Sequence, residues 1–290
     1  MMGRVSVVRA GSDVEASVRR SVELLGGMNL RGTKTVLVKP NICNAKNTEG
    51  MILTDFRIIE AVIKIIRENG AEPLVVESDN IADSADRRVE ESGLKAKLEE
   101  WGVEFMNVSR DECVPHSVAG TELMIPRTVL EAEYLINLPK IKTCAHTLVT
   151  LSIKNLFGLL QEAKKSRLHK RLDEVLPFLA KTIRSDLIVV DGMVCMEGNG
   201  PVVGNPRYLG VIVAGTNVVE VDSFCLGLMG FKGEEVSHIA NTAALGVGEL
   251  YGYEVIGDPW EVLCCKFERP YSLRASLRSL RTIGDVYLRR

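Results

Sequence analysis

Lysine residues follow two of the apolar runs of this chain, at points where buried strands are predicted to end. Lys39 follows TVLV, and Lys140 and Lys142 follow YLINLP. Lysine is a strongly hydrated point charge, so placing it at the end of a core strand costs desolvation unless a carboxylate or a ligand anion lies opposite. Ligands of open α/β sheets collect beyond the carboxyl ends of the strands. These lysines therefore indicate an anion pocket at several strand ends.

Acidic residues follow two other apolar runs, and they leave a second interpretation of the lysines open. Glu77 and Asp79 follow PLVV, while Asp191 and Glu197 follow LIVV. These carboxylates could pair with the lysines in structural ion pairs, because such pairs also gather at strand ends. If the lysines bind a ligand instead, Asp191 or Glu197 becomes the candidate proton-transfer group.

Two further segments carry polar residues that we expect at the same pocket. Residues 147–157 have the pattern of a helix start, which contributes Lys154 and Asn155. The free N–H groups and the positive dipole end of such a helix would also attract an anion. The run GNGPVVGNP at 198–206 predicts a tight loop that lets a ligand approach the backbone, although its spacing does not match G-x-G-x-x-G. The candidate ligand-binding residues are Lys39, Asn41, Lys140, Lys142, Lys154, Asn155, Asn199 and Gly200.

His146 and the basic run after it each have more than one interpretation. His146 could act as a proton donor, a metal ligand or a polar residue of the first helical turn. The run KKSRLHKR at 164–171 is typical of a solvated helix face, but its position after Gly158 also suits a mobile lid that closes over an anion. The candidate catalytic residues are Glu197, Asp191 and His146.

Seven cysteines are scattered along the chain, and this odd number does not fit the disulfide framework of a small secreted domain. Reduced thiols are the better interpretation. Cys43, Cys144 and Cys195 each lie in or beside a different motif loop, so the fold could bring three thiols together. Three thiolates with His146 or Glu197 could hold a metal ion or an iron–sulfur cluster. The alternative is that each is a small buried apolar side chain.

Short β-branched runs alternate with helical patterns along most of the chain. Continuous apolar strands between helices are typical of a sheet that is covered on both faces. We therefore predict an α/β fold with a largely parallel or mixed sheet flanked by helices. In one possible arrangement, the fold consists of two halves around a cleft. The first strands are predicted at 5–8, 35–41 and 73–78, and the first helices at 13–26 and 54–70.

The chain shows no internal repeat or low-complexity segment. We predict one elaborated α/β domain over residues 1–265, with a subdivision near residue 120 as the alternative. Residues 266–290 form a predicted helical tail with seven basic and two acidic residues. The tail could contact a partner subunit, an acidic protein or a membrane surface, or pack on its own domain. Its predicted stripe consists of Leu273, Leu277 and Leu280 beside Arg274, Arg278 and Arg281.

The charge of the whole chain narrows the classes of partner. The 290 residues carry a formal net charge of −2 with a pI near 6.2, which gives no global reason to expect nucleic acid or an anionic membrane as the partner. Any anion site must therefore be local. The chain has no apolar run long enough for a membrane span, and its beginning lacks the pattern of a signal peptide. We expect a cytoplasmic protein, and the sequence does not determine its oligomeric state.

Four ordered motifs, VLVKPN, INLPKIKT, LSIKNLFG and DGMVCMEGNGP, together resemble the uncharacterised family called domain of unknown function 362. The resemblance spans about residues 34–245. Members of that family are often described as iron–sulfur proteins because many carry a ferredoxin-type module. This chain has no C-x-x-C-x-x-C run, so the module does not carry over. The resemblance implies a shared pattern of Lys39, Asn41, Lys140, Lys142, Lys154, Asn155, Glu197, Asn199 and Gly200.

The residues and the resemblance leave three functions open. The first is an enzyme that binds a small phosphorylated or carboxylated metabolite in a lysine-lined cleft. The second is an iron–sulfur or metal-binding redox or accessory protein that uses Cys43, Cys144 and Cys195 and docks an acidic partner through residues 266–290. The third is a non-catalytic metabolite-binding module.

Overall fold

A computed structural model describes residues 2–162, 165–283 and 286 of the chain. These residues contain twelve strands, ten α-helices and six short 3₁₀-helices. The strands are β1 (Arg4–Arg9), β2 (Thr35–Pro40), β3 (Glu72–Glu77), β4 (Glu104–Asn107), β5 (Cys113–Val118), β6 (Thr121–Pro126), β7 (Leu135–Leu138), β8 (Lys140–Cys144), β9 (Leu148–Val149), β10 (Leu187–Glu197), β11 (Asn205–Gly215) and β12 (Glu254–Gly257). The helices are α1 (Val14–Leu24), α2 (Phe56–Glu68), α3 (Ala85–Glu91), α4 (Leu94–Glu100), α5 (Arg127–Leu130), α6 (Ser152–Asn155), α7 (Leu172–Thr182), α8 (Val218–Met229), α9 (Ser237–Ala244) and α10 (Leu273–Ile283).

Ten of the described strands form one mixed sheet. Its order is β12-β1-β11-β10-β7-β2-β3-β4, with β8 paired to β10 and β9 paired to β8. The strands from β10 through β7, β2 and β3 to β4 run parallel, whereas β11 is antiparallel to both β1 and β10. The predicted α/β fold with a mixed sheet flanked by helices is confirmed. Among the residues that the structure describes, no helix is long and apolar enough to cross a membrane.

The sheet has a hydrophobic core on each face. In β2, Val36 and Val38 pack into the cluster that contains residues of α1 and α2, whereas Leu37 packs into the cluster that contains residues of α7 and α8. Successive side chains of a strand point to opposite faces, so the continuous apolar run TVLV supplies both cores.

Helix α2 begins where the sequence predicts a helix start. The Asp55 side chain accepts a hydrogen bond from the N–H of Arg57 at 2.9 Å, which satisfies one of the free amides of the first turn. Ile58, Ile59 and Val62 are buried on the face toward the sheet. The Asp55 cap therefore determines where α2 begins, and the apolar face determines how the helix packs on the sheet.

The helix predicted from residue 147 begins five residues later, at Ser152. Leu148 and Leu151 have φ values of 64° and 114°, and a right-handed helix cannot include residues in this left-handed region. The chain instead forms β9, which pairs antiparallel with β8. The short helix α6 follows, and it still carries Lys154 and Asn155.

The hairpin of β5 and β6 forms a separate two-stranded sheet near residue 120. The predicted subdivision falls at this hairpin, and the extent of the domain stays a prediction. In the predicted tail, α10 is present, and one residue that follows it, Val286, is buried. The side chains of Arg274, Arg278, Leu280 and Arg281 lie outside the described part of the structure.

Candidate functional site

A cavity of about 660 Å³ lies at the carboxyl ends of β2, β3 and β8 and beside the loop that joins β10 to β11. This volume is within the range of small-molecule sites, about 300–1,000 Å³. The position agrees with the rule that ligands of open α/β sheets bind beyond the carboxyl ends of strands. The residues predicted from the sequence that line the cavity are Lys39, Asn41, Cys43, Lys142, Cys144, His146, Lys154, Asn155, Asn199 and Gly200.

Lys140 and Asp191 do not line the cavity, because they form a buried ion pair elsewhere. The Nζ of Lys140 lies 2.6 Å from Oδ2 of Asp191, and both side chains are almost completely shielded from solvent. Asp191 also accepts hydrogen bonds from the N–H groups of Asp55 at 2.8 Å and Met193 at 3.0 Å. This pair joins β8 and β10 to the start of α2, as the structural interpretation of the strand-end lysines proposed.

Lys39 forms a second buried ion pair at the wall of the cavity. Its Nζ lies 2.9 Å from Oε2 of Glu77 and also donates to the carbonyl of Pro40 at 2.6 Å. Burial lowers the pKa of Lys39, and the attraction of Glu77 opposes this effect. Gly158 packs against this pair, since a Cβ there would lie 2.8 Å from Oε1 of Glu77. A larger side chain at position 158 would therefore displace the pair.

Lys142 is fully buried and has no carboxylate as a partner in the described structure. Its ammonium donates to Oδ1 of Asn41 at 2.7 Å and to the carbonyl of Ile52 at 2.8 Å, and it lies 3.3 Å from Sγ of Cys43. Asn41 in turn donates to Asn155 at 3.0 Å. This network of neutral acceptors orients Lys142 without neutralising its charge.

Lys154 is held over an aromatic ring. Its Nζ lies 4.0 Å from the centroid of the Phe157 ring, a cation–π contact. Within the described residues, no oxygen accepts a hydrogen bond from this ammonium group. Burial lowers the pKa of Lys154. The group therefore keeps three hydrogen-bond donors that a ligand in the cavity could use.

Lys165 is a cavity residue that the sequence did not single out, because it stands within the basic run and its burial is a tertiary property. Its Nζ donates to Oγ of Ser78 at 2.5 Å, and the side chain is buried. Burial lowers the pKa of Lys165 to about 7. Glu77 opposes this shift, whereas Arg88, Lys39 and Lys154 add to it. An ammonium group with this pKa changes its charge near neutral pH.

The Lys165–Ser78 contact has the composition of a serine nucleophile with a lysine base. Ser78 is nevertheless fully buried and is not part of the cavity lining. Its hydroxyl donates to the carbonyl of Gly158 at 2.5 Å, so its proton is already engaged. Ser78 is therefore a partner that orients Lys165.

The cavity has a strong excess of positive charge. Arg88 is buried, and its guanidinium donates to the carbonyls of Ile42 and Ser78. Glu77 is the one carboxylate in the described lining, and it already pairs with Lys39. If all ionisable lysine, arginine and carboxylate groups are charged, the lining carries four more positive than negative charges. Uncompensated buried charge is unfavourable, so this arrangement favours an anion as occupant.

Two imidazole rings also line the cavity. The rings of His146 and His169 lie 4.2 Å apart between centroids, with a tilt of 33°. Burial lowers the pKa of His169, and repulsion from His146 and Lys154 adds to this shift. His169 and Lys165 belong to the 3₁₀-helix Lys165–Arg171, so the run interpreted as a lid contributes directly to the cavity wall. Lys164 of that run lies outside the described residues.

The loop after β10 lies between the cavity and α10. Asn199 accepts a hydrogen bond from the N–H of Tyr271 at 2.7 Å and donates to Ser279 at 3.1 Å. A Cβ at Gly200 would lie 1.9 Å from the carbonyl oxygen of Thr143, so only glycine fits there. Glu197 is buried outside the cavity lining.

The cysteines do not form a cluster-binding set in this structure. Cys43 and Cys144 line the cavity, whereas Cys195 is completely buried outside its lining, and burial raises the pKa of its thiol. The described residues contain no group of three or more His, Cys, Asp or Glu side chains arranged to hold a metal ion. The donor set therefore does not fit the metal or iron–sulfur site that the positions of the three cysteines suggested, and we derive no chemical step through one.

Asp222 of α8 positions the cavity lysine of α6, a role that the sequence did not indicate. Its carboxylate accepts hydrogen bonds from the N–H of Ser152 at 2.8 Å, the Ser152 hydroxyl at 2.6 Å and the N–H of Ile153 at 3.0 Å. These amides therefore serve the fold and are not offered to a ligand. Burial raises the pKa of Asp222 to about 7, and the three hydrogen bonds oppose this rise. These contacts hold the start of α6 in place, and Lys154 follows two residues after Ser152.

Replacing Asp222 by asparagine is expected to reduce the free energy of unfolding by about 1–3 kcal/mol, because the amide cannot accept all of these hydrogen bonds. Urea unfolding measures this change. Glu220→Gln is the matched control, since Glu220 is a second acidic residue of α8 with low exposure. Equal losses in the two variants would contradict the role assigned to Asp222.

Three comparisons place the chain among known proteins. It is 27% identical over 311 residues to the thylakoid-associated protein sll1697 of Synechocystis sp., and the alignment covers 100% of this chain and 96% of that protein. The lactate racemase apoprotein from Thermoanaerobacterium thermosaccharolyticum is a similar solved structure, with a TM-score of 0.39 and 12% identity. This match covers 79% of this chain and 57% of the racemase chain. The model of a family described as Domain of unknown function (DUF362) matches residues 36–227. The match includes the strand-end motifs and covers more than half of the sequence, so the chain belongs to the DUF362 family.

Proposed function

We propose that this protein is an enzyme that binds a small phosphorylated or carboxylated metabolite in the cavity at the carboxyl ends of β2, β3 and β8. The observation that carries the proposal is the pair Lys154 and Lys165, two cavity ammonium groups without a carboxylate partner of their own in the described structure. Lys142 lies in the same wall with neutral acceptors alone. An anion would supply the charge that these three groups lack.

The lowered pKa values of the lysines support this proposal. Repulsion between like charges and burial both favour the neutral amine, and they act on Lys165 together. A bound anion opposes both effects, since it stabilises the ammonium form through charge-assisted hydrogen bonds. Binding should therefore be coupled to the uptake of a proton by Lys165.

Lys165 is also the residue that best suits proton transfer in this cavity. A general acid or base works best when its pKa lies near the working pH, and the pKa of Lys165 is about 7. His146 and His169 are further candidates in the same wall. Asp191 and Glu197 lie outside the lining, so we assign them no contact with the ligand. The cytoplasmic location expected from the sequence is part of the same proposal.

Anion affinity is expected to fall as the pH rises above 7. Below this pH Lys165 is already protonated, whereas above it binding must include proton uptake, so the dissociation constant should rise by about tenfold per pH unit. Sulfate and oxalate are suitable probes because neither changes its own charge between pH 7 and pH 9. Isothermal titration calorimetry at pH 8 in two buffers of different ionisation enthalpy should show uptake of about one proton.

A variant of an exposed lysine outside the cavity, Lys95→Met, should show the same affinity and proton uptake as the wild type. Pyrophosphate and citrate extend the test to larger phosphorylated and carboxylated anions. The proposal is contradicted if none of the four anions binds at millimolar concentration beyond the effect of sodium chloride at equal ionic strength. Binding without turnover of any identified natural ligand would favour the non-catalytic binding module over the enzyme.

A further inference from the structure

Helix α10 packs on the protein through its small and polar residues and leaves apolar side chains outside. Ala275, Ser279 and Thr282, spaced four and three residues apart, are buried. Leu273 and Leu277, one turn apart, are 80% and 62% exposed. A surface helix of a globular protein ordinarily buries its leucines. This orientation is the reverse of the ordinary one.

Specific contacts fix this orientation. The hydroxyl of Ser279 accepts a hydrogen bond from Asn199 at 3.1 Å, and the hydroxyl of Thr282 donates to the carbonyl of Gly204 at 3.0 Å. The Cβ of Ala275 lies 3.3 Å from the position that a Cβ at Gly198 would take. Rotating the helix to bury Leu273 and Leu277 would break both hydrogen bonds and bring larger side chains against Gly198. The exposed leucines are therefore a consequence of the native packing.

The outer surface of α10 is defined here as Leu273, Leu277 and Ile283 of the helix together with Tyr271, which lies just before it. This surface belongs to a basic segment of the chain. All four side chains are exposed. Residues 269–283 contain four arginines, of which Arg269 pairs with Glu235, and no acidic residue, although the whole chain has a net charge of −2. The apolar side chains suit the acyl region of a membrane in polarity, and the arginines of the segment are complementary in charge to anionic lipid head groups.

We propose that the outer surface of α10 docks this protein onto an anionic lipid membrane. A specific protein–protein interface needs about 20–30 residues on each side, and four side chains in and just before one short helix are too few for this. A lipid surface has no such requirement, because apolar side chains partition into it singly and basic residues add attraction to anionic head groups. Leu273 and Leu277 would enter the boundary between head groups and acyl chains, with the helix parallel to the membrane plane.

Docking would place the cavity next to the lipid. Tyr271 belongs to both the outer surface of α10 and the lining of the cavity, and its N–H donates to Asn199 of the same lining. In the docked protein, Tyr271 would therefore contact the membrane and also line the cavity. This inference does not depend on the identity of the ligand, because it is based on α10 alone.

Co-sedimentation with vesicles tests the proposal on the full chain. Wild-type protein should bind vesicles of phosphatidylglycerol and phosphatidylcholine, and binding should weaken in pure phosphatidylcholine and at high salt. The double variant Leu273→Ser and Leu277→Ser should lower the partition coefficient at least tenfold. Leu245→Ser is the matched control, since Leu245 is a 48% exposed leucine elsewhere, and it should bind like the wild type.

Three results would overturn the proposal. The first is no binding of the wild type to anionic vesicles, and the second is equal binding of the wild type and the double variant. The third is a dimer, seen by analytical ultracentrifugation, that the double variant abolishes while vesicle binding is absent, which would assign the surface to a second copy of the chain. Thermal unfolding of the double variant should match that of the wild type, because both leucines are exposed.

Discussion

Replacing Lys165 by methionine is expected to stabilise the ligand-free protein while it weakens anion binding by about ten- to a hundredfold. A charge-assisted hydrogen bond contributes about 1.5–3 kcal/mol, which corresponds to this loss of affinity. The gain in stability should be at least about 1 kcal/mol, because methionine fills a similar volume without burying a charge. Ser78, the partner of Lys165, still donates its proton to Gly158 in the variant.

The pH dependence of stability separates this effect from a general change in packing. In the unfolded chain Lys165 has its ordinary pKa of 10.5, whereas in the folded protein its pKa is about 7. The unfolded state therefore binds more protons between these values, so the stability of the ligand-free wild type should rise with pH across that window. In Lys165→Met this contribution should be absent.

Urea unfolding at pH 7 and pH 9, together with calorimetric titration of sulfate and oxalate, measures both expected changes. Lys95→Met again serves as the control, because Lys95 is exposed and lies outside the cavity lining. A Lys165→Met variant that is less stable than the wild type and still binds anions normally would contradict the role assigned to this lysine.

Replacing Lys140 by methionine is expected to destabilise the protein by about 3–5 kcal/mol, the usual effect of removing one partner of a buried ion pair. The variant leaves the Asp191 carboxylate without its counter-ion, in a place where its other partners are two backbone N–H groups. This pair joins β8, β10 and the start of α2, so the loss should be global. Urea unfolding at neutral pH measures it.

The double variant Lys140→Met and Asp191→Leu tests the interpretation of this pair. Removing both charges together should be less destabilising than the sum of the two single replacements, because neither charge is then left alone. Anion affinity in the folded fraction of Lys140→Met should match that of the wild type, since Lys140 is not part of the cavity lining. Lost affinity with unchanged stability would instead support Lys140 as a ligand-binding residue.

The sequence alone predicted the α/β fold, and most of the candidate ligand-binding residues chosen from it line one cavity. Continuous apolar runs such as TVLV determine buried parallel strands, and the polar residues directly after them, including Lys39 and Lys142, must then meet at one edge of the sheet. The four ordered motifs also identified the family. These conclusions follow from local patterns, because the alternation of strands and helices and the position of each strand end are properties of short segments.

Only the tertiary structure decided which charges neutralise each other. Lys39, Lys140 and Lys142 look alike in the sequence, yet two of them pair with carboxylates more than 35 residues away and the third has neutral acceptors. The helix predicted at residue 147 failed because two leucines adopt positive φ, and the basic run gave no sign that Lys165 is buried. Pairing and burial depend on contacts between segments distant in the chain, so no local pattern encodes them.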